Sequence, residues 1–153
     1  MIGADRIEDR FALRALAERY ARGVDTRDRE LFLGAFHEDA ELVLYGDPTS
    51  DQPTRTLRGH EEIGAVTTAI AVYERTLHLL GQSTYELGDG VATGLVYCAA
   101  HHLTPDRHGG TTHIMYMHYV DDYRLGTDGE WRIAIRRPIT DWTGTHAANP
   151  LGR

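Results

Sequence analysis

Apolar positions first recur at helical spacing. Leu13, Leu16, Ala17, Tyr20 and Val24 form one stripe with arginines and glutamates between them, which predicts a long amphipathic helix N-capped by Asp5 and ended by Gly23. A shorter helix over about 28–36 follows, capped by Thr26 or Asp28 and burying Leu31, Phe32 and Phe36. Asp25 then lies at the joint between the two. Residues 40–45 are β-prone, 46–56 form a polar loop, and 56–58 form a short strand. A third helix is expected over about 60–73, with Glu61 and Glu62 in its first turn and Ile63, Val66, Ile70 and Tyr73 as its apolar stripe.

Beyond residue 75 the period changes. Four β-rich runs, 76–87, 91–103, 111–125 and 130–140, are separated by Gly88-Asp89-Gly90, by a loop at 105–110 and by one at 126–129. These read as antiparallel hairpins. Helices first and a meander second predict one α+β domain over 1–153, with the helices on one face of a single curled sheet and an irregular tail at 141–153. At 153 residues the chain can bury a full core.

Charge narrows the partners. A net charge of −7, with Arg10, Arg14 and Arg19 interleaved with acids, leaves no basic face for nucleic acid. A single cysteine, Cys98, allows no internal disulfide and suits a reducing compartment. The start has no apolar leader-like run and no apolar stretch is long enough to span a bilayer, so a soluble, cytoplasmic protein with no membrane partner is expected. Nine histidines raise the question of a metal, but none form a His-x-His pair on one strand face, and HEEIG at His60 is not the two-histidine zinc helix. No metal and no cofactor are expected.

The run TLHLLGQSTYEL at 76–87 carries one ionisable side chain, His78, among leucines. An imidazole buried there needs a partner, because desolvation penalises its charge and an unpaired ring nitrogen loses its hydrogen bond to water. Asp25 is the candidate; its plain structural role would be to cap the second helix. The plain structural alternative for His78 is a core histidine bonded to a backbone carbonyl, and strand parity alone does not give its direction. A carboxylate-held imidazole is a competent base near neutral pH. Of the neighbours His101 and His102 only one can face inward, and His101, on the side of Tyr97 and Ala99, is the expected one.

The patterns RGVDTRDRELF, AELVLY, RTLHLLG, CAAHH and DGEWRIAIRR before DW, in this order, resemble the SnoaL-like and scytalone dehydratase-like members of the nuclear transport factor 2-like superfamily. The resemblance spans about residues 7–142. It implies a cone-shaped α+β barrel, with three helices over the concave face of a curved, antiparallel or mixed sheet. It also implies a small hydrophobic or polyketide-like substrate, and homo-oligomers, dimers or trimers, that pair through the outer sheet face near Ile114, Tyr116 and Val120. By the same resemblance Asp25 orients His78, Tyr45 holds a water against a substrate carbonyl and His101 is the second histidine. Tyr20 resembles the tyrosine of bile-acid dehydratases. Arg136 is the nearest match to an arginine that matters in hexachlorocyclohexane dehydrochlorinase, with Arg137 beside it pointing the opposite way. Tyr119 and Met117 would line the substrate site; Val24 and Tyr119 depart from scytalone dehydratase, which argues against scytalone itself. The expected activity is a dehydratase-like elimination, with isomerisation or ring closure, or a non-catalytic ligand-binding barrel, as alternatives.

Overall fold

A computed structural model describes residues 6–151. Helix α1 (Ile7–Thr26) is followed by α2 (Arg29–Leu33), β1 (Phe36–Leu44), β2 (Arg55–Arg58), α3 (Gly59–Gly64), α4 (Val66–Ala69) and a 3-10 turn (Ile70–Val72). The meander is β3 (Arg75–Leu87), β4 (Val91–Asp106), β5 (Gly109–Leu125) and β6 (Trp131–Ala148). All six strands form one curved sheet in the order β2-β1-β6-β5-β4-β3, with β1 parallel to β6 and the other neighbours antiparallel. The α+β architecture expected from the residue pattern is the one observed. No helix among the described residues is long and apolar enough to cross a membrane.

The α1 stripe is buried as expected, with Leu13, Leu16, Ala17, Tyr20 and Val24 in the core. Gly23, however, does not end the helix. A Cβ there would lie 2.6 Å from the backbone of Phe32, so the glycine lets α2 pack directly on α1. The helix ends instead at Arg27, whose φ of 56° turns the chain toward Asp28, and Asp28 caps α2 by accepting the Leu31 N–H at 3.0 Å. The cap expected at Asp5 lies outside the described residues. The short α2 stops at Leu33, which releases Phe36 to open β1.

The third helix is broken rather than continuous. Its middle, Gly64 to Thr68, is a weak helix former, and the Thr67 hydroxyl donates to the Gly64 carbonyl at 2.9 Å in competition with the backbone. Ile63 is fully buried, whereas Val66 and Ile70 only flank the core. At the other end of the chain, the tail expected to be irregular continues β6 to Ala148 and pairs with β5 as far as Gly110. The β5 edge would otherwise carry unpaired N–H and C=O groups, and this segment satisfies them.

Edge strand β3 is clamped by α1. Arg6, Arg10 and Arg14, at successive helical turns and so on one face, donate to the carbonyls of Gly88, Tyr85 and Gly81 at 3.1, 3.1 and 2.9 Å. The helix therefore runs antiparallel to β3, and its last turn arrives where the strand begins.

Candidate active site

That last turn carries Asp25. Its Oδ1 lies 2.6 Å from His78 Nδ1 and accepts the Thr76 hydroxyl at 2.9 Å, while Oδ2 accepts the His78 backbone N–H at 2.9 Å. Burial by itself would raise the carboxyl, but the bonds from the His78 ring and backbone and from Thr76 overturn this and hold Asp25 below the usual carboxylate value. With Asp25 ionised, Nδ1 carries the proton and Nε2 is left as the basic nitrogen. The His78 side chain is only 7% exposed.

The structure gives the direction of β3 that strand parity left open. Thr76, His78 and Leu80 face the helices, and Leu77 and Leu79, 50% and 52% exposed, face outward. Opposite residues in an antiparallel ladder share a face, so Ala100, which pairs with His78, sets the inner side of β4. Cys98, Ala100 and His102 point inward with it. His101 pairs with Leu77 on the outer face, its Nδ1 3.1 Å from the Ala99 carbonyl oxygen. The expectation for His101 is thus corrected: the inward histidine is His102, which the CAAHH pattern contained but could not orient.

His102 lies 6.1 Å from His78 between ring centroids and 4.7 Å from Tyr73. Its Nδ1 is buried without a hydrogen-bond partner among the described residues. Burial first, and then His78, lower its pKa to about 4, so it is neutral at neutral pH.

Behind His78, Tyr20 presents an edge at 6.4 Å and is pushed up to about 12 by burial. Arg136 faces inward and Arg137 outward, resolving that pair. The Arg136 guanidinium is fully buried between the rings of Tyr20 and Tyr119, at 4.4 and 4.3 Å. It makes two bonds to Asp121, at 2.9 and 2.7 Å, and Tyr123 donates to the same carboxylate at 2.6 Å. Burial works against the arginine's charge, and Asp121 outweighs it. Arg136 Nη1 has no partner among the described residues.

Two expected site residues stand apart. Tyr45, at the end of β1, pairs through its backbone with Pro138 and Thr140, and its ring is not among those packed around His78. Met117 lies on the inner face of β5 opposite Cys98, in the wall rather than beside the pair. A second Asp–His pair, His118 with Asp141 at 2.7 Å, occupies the outer face, where a bulge between Tyr116 and Met117 turns Asp141 toward β5. A cleft of about 1160 Å³ lies at the far end of the sheet, lined by Arg29, His37, His60, Arg124, Asp128 and Arg132 among others, and includes none of the expected site residues. No cluster of three or more potential metal ligands occurs among the described residues.

A helix-backed curved sheet that encloses a carboxylate-held histidine defines the class of cone-shaped α+β barrels. Within that class, residues 5–137 match the SnoaL-like domain, and the chain belongs to that family. Among solved structures it is similar to the hexachlorocyclohexane dehydrochlorinase LinA Type2 (TM-score 0.81, 19% identity, covering 97% of this chain and 98% of that one). It also resembles a proposed scytalone dehydratase from Novosphingobium aromaticivorans (0.76, 22%, 97% and 96%). A third likeness is to a substituted form of Rv3472, a Mycobacterium tuberculosis protein of unknown function (0.75, 28%, 91% and 78%). No curated protein sequence matches. The first two likenesses establish the fold alone.

Proposed function

We propose that the protein is a cofactor-independent lyase that eliminates water from a small hydroxylated carbonyl or polyketide-like substrate, with His78 as base and Asp25 as the group that orients it. The observation that carries this reading is the double grip of Asp25 on both the ring and the backbone of His78. Such a grip fixes the tautomer and stabilises the imidazolium formed when Nε2 takes a proton from the carbon beside the carbonyl. The names of the scytalone dehydratase and dehydrochlorinase relatives are consistent with elimination chemistry.

His102, neutral at neutral pH, is a hydrogen-bonding group for the substrate and not a ready acid. The proton removed by His78 is therefore the one returned to the departing hydroxyl, on the same face of the substrate. The same observation favours a second reading, isomerisation, in which His78 returns the proton to another carbon. Incubating hydroxylated ketones with the protein tests both: a product lighter by one water supports elimination, and an isomer of unchanged mass supports the second reading. Retained turnover in His78→Ala would refute both. Tight ligand binding indifferent to His78→Ala and Asp25→Asn, with no mass change, would make the protein a binding barrel. Pairing of copies through the outer face belongs to the same proposal. Ile114 is already covered there, so the available apolar surface is Leu77, Leu79, Tyr97 and Trp142; a monomer by light scattering at micromolar concentration would exclude it.

A further inference from the structure

Three imidazoles stand in a row on the inner face of the sheet. His78 on β3 is 6.1 Å from His102 on β4, and His102 is 6.4 Å from His113 on β5, ring centroid to ring centroid. The register puts them there: Ala100 opposes His78, His102 follows two residues on, and His102 directly opposes His113. His102 in the middle is the most buried of the three, at 5% exposure, and His113 at the outer end is partly exposed. Neither the reaction proposed above nor the expectations drawn from the sequence make any use of His113.

The groups that surround this row leave few other carriers for a proton. On α1, Asp25 is held ionised and already occupied by Thr76 and His78, and Tyr20, at about 12, keeps its proton. Tyr73, before β3, packs at a tilt against His102, and Thr145 of β6 opposes His113. Imidazole alone has two nitrogens that can take a proton on one side while releasing another on the opposite side. The unpartnered Nδ1 of His102 supplies such a free position in the middle of the row.

We infer that the His78–His102–His113 row is a proton path that equilibrates the buried base with solvent between turnovers, and that His113 is its outer relay. The step balances without any further reactant. A proton leaves Nε2 of the His78 imidazolium for one nitrogen of His102, the N–H proton on the other side of His102 passes to His113, and His113 exchanges with water. Spacings of this size are closed by ring rotation or by one bridging water. Burial of His102 keeps its doubly protonated form sparse.

The inference rests on the reading of Asp25 and His78 as a working base pair, but its test needs no substrate. Nitrogen-15 labelling of histidine lets NMR follow exchange of the Nε2 proton of the protonated His78 ring with solvent in the intact protein, in His113→Phe and in His113→Gln. Exchange slower by about ten-fold or more in both variants, with His78 ring shifts unchanged so that the Asp25 contact is intact, is the expected result. Exchange within about two-fold of the parent protein in either variant that keeps those shifts would overturn the path. Should the phenylalanine disturb the shifts, the glutamine variant alone decides. Loss of turnover in the assays above would bear on the function and leave this measurement standing.

Discussion

Asp25 holds His78 twice, at 2.6 Å through the ring Nδ1 and at 2.9 Å through the backbone N–H. A carboxylate that bonds both places the residue as well as its side chain, so rotation of the imidazole away from its orienting partner is opposed from two directions. Asparagine can accept only one of these bonds while offering an N–H to the other.

Asp25→Asn is accordingly expected to lower kcat by roughly 10³-fold or more, with a smaller change in KM. Steady-state kinetics on any turned-over substrate checks this. The pH dependence has a definite sign. The Asp25 pKa is depressed from 3.8 in the folded protein, so its stabilising contribution is present above that value and is lost as pH falls through the folded pKa. The stability gap between parent and Asp25→Asn, from urea unfolding, should shrink below about pH 4.

His102→Ala should reduce turnover by roughly 10²-fold, and His101→Ala by less than about three-fold, because only the first faces His78. His118→Ala, which breaks the outer Asp–His pair, should likewise leave turnover within about three-fold. Comparable losses in all three would sink the assignment of faces.

Acid stability should also report on His102. Its pKa falls from 6.5 to about 4 on folding, so the folded state resists protonation there. The resulting stability is complete above pH 6.5 and declines as pH drops from 6.5 toward 4, because the unfolded chain binds that proton first. Thermal unfolding of His102→Gln across this window should show a flatter profile than the parent protein.

The Asp121–Arg136 pair is fully buried on both sides. Asp121→Asn or Arg136→Met alone should destabilise by about 3–5 kcal/mol, since each leaves an uncompensated charge or donor inside. The double replacement Asp121→Leu with Arg136→Met should cost much less than the sum, and a double-mutant cycle in urea measures the difference.

Gly23→Ala should cost about 1–3 kcal/mol, because its Cβ would meet the Phe32 backbone at 2.6 Å. Displacement of α2 also shifts the end of α1, so a fall in kcat should accompany the loss of stability.

Much of this was legible in the residues. The α1 stripe, a cap at the start of α2 and the meander with its glycine turns follow from spacing and composition, because local propensity and burial agree there. The faces of β3 and β4 were not. Thr76, His78 and Leu80 alternate with Leu77 and Leu79, so neither side is decisively more polar, and the bonds to Asp25 make the His78 side the inner one. His101 and His102 differ by one residue, and only the pairing of Ala100 with His78 assigns them. Arg136 and Arg137 pose the same question on β6, and the bonds from Asp121 answer it. The arginines of α1, which alternate with acids and look like a solvated face, are clamps on the edge of β3.

By itself the sequence determined the order and kind of elements, the acidic, single-cysteine character of the chain and the presence of a carboxylate and an imidazole able to pair. Those properties are local or additive along the chain. Only the tertiary structure decided which face of each strand is buried, which histidine joins His78, and that β6 extends to Ala148. Strand register is a relation between segments distant in sequence, and a shift of one residue reverses every side chain.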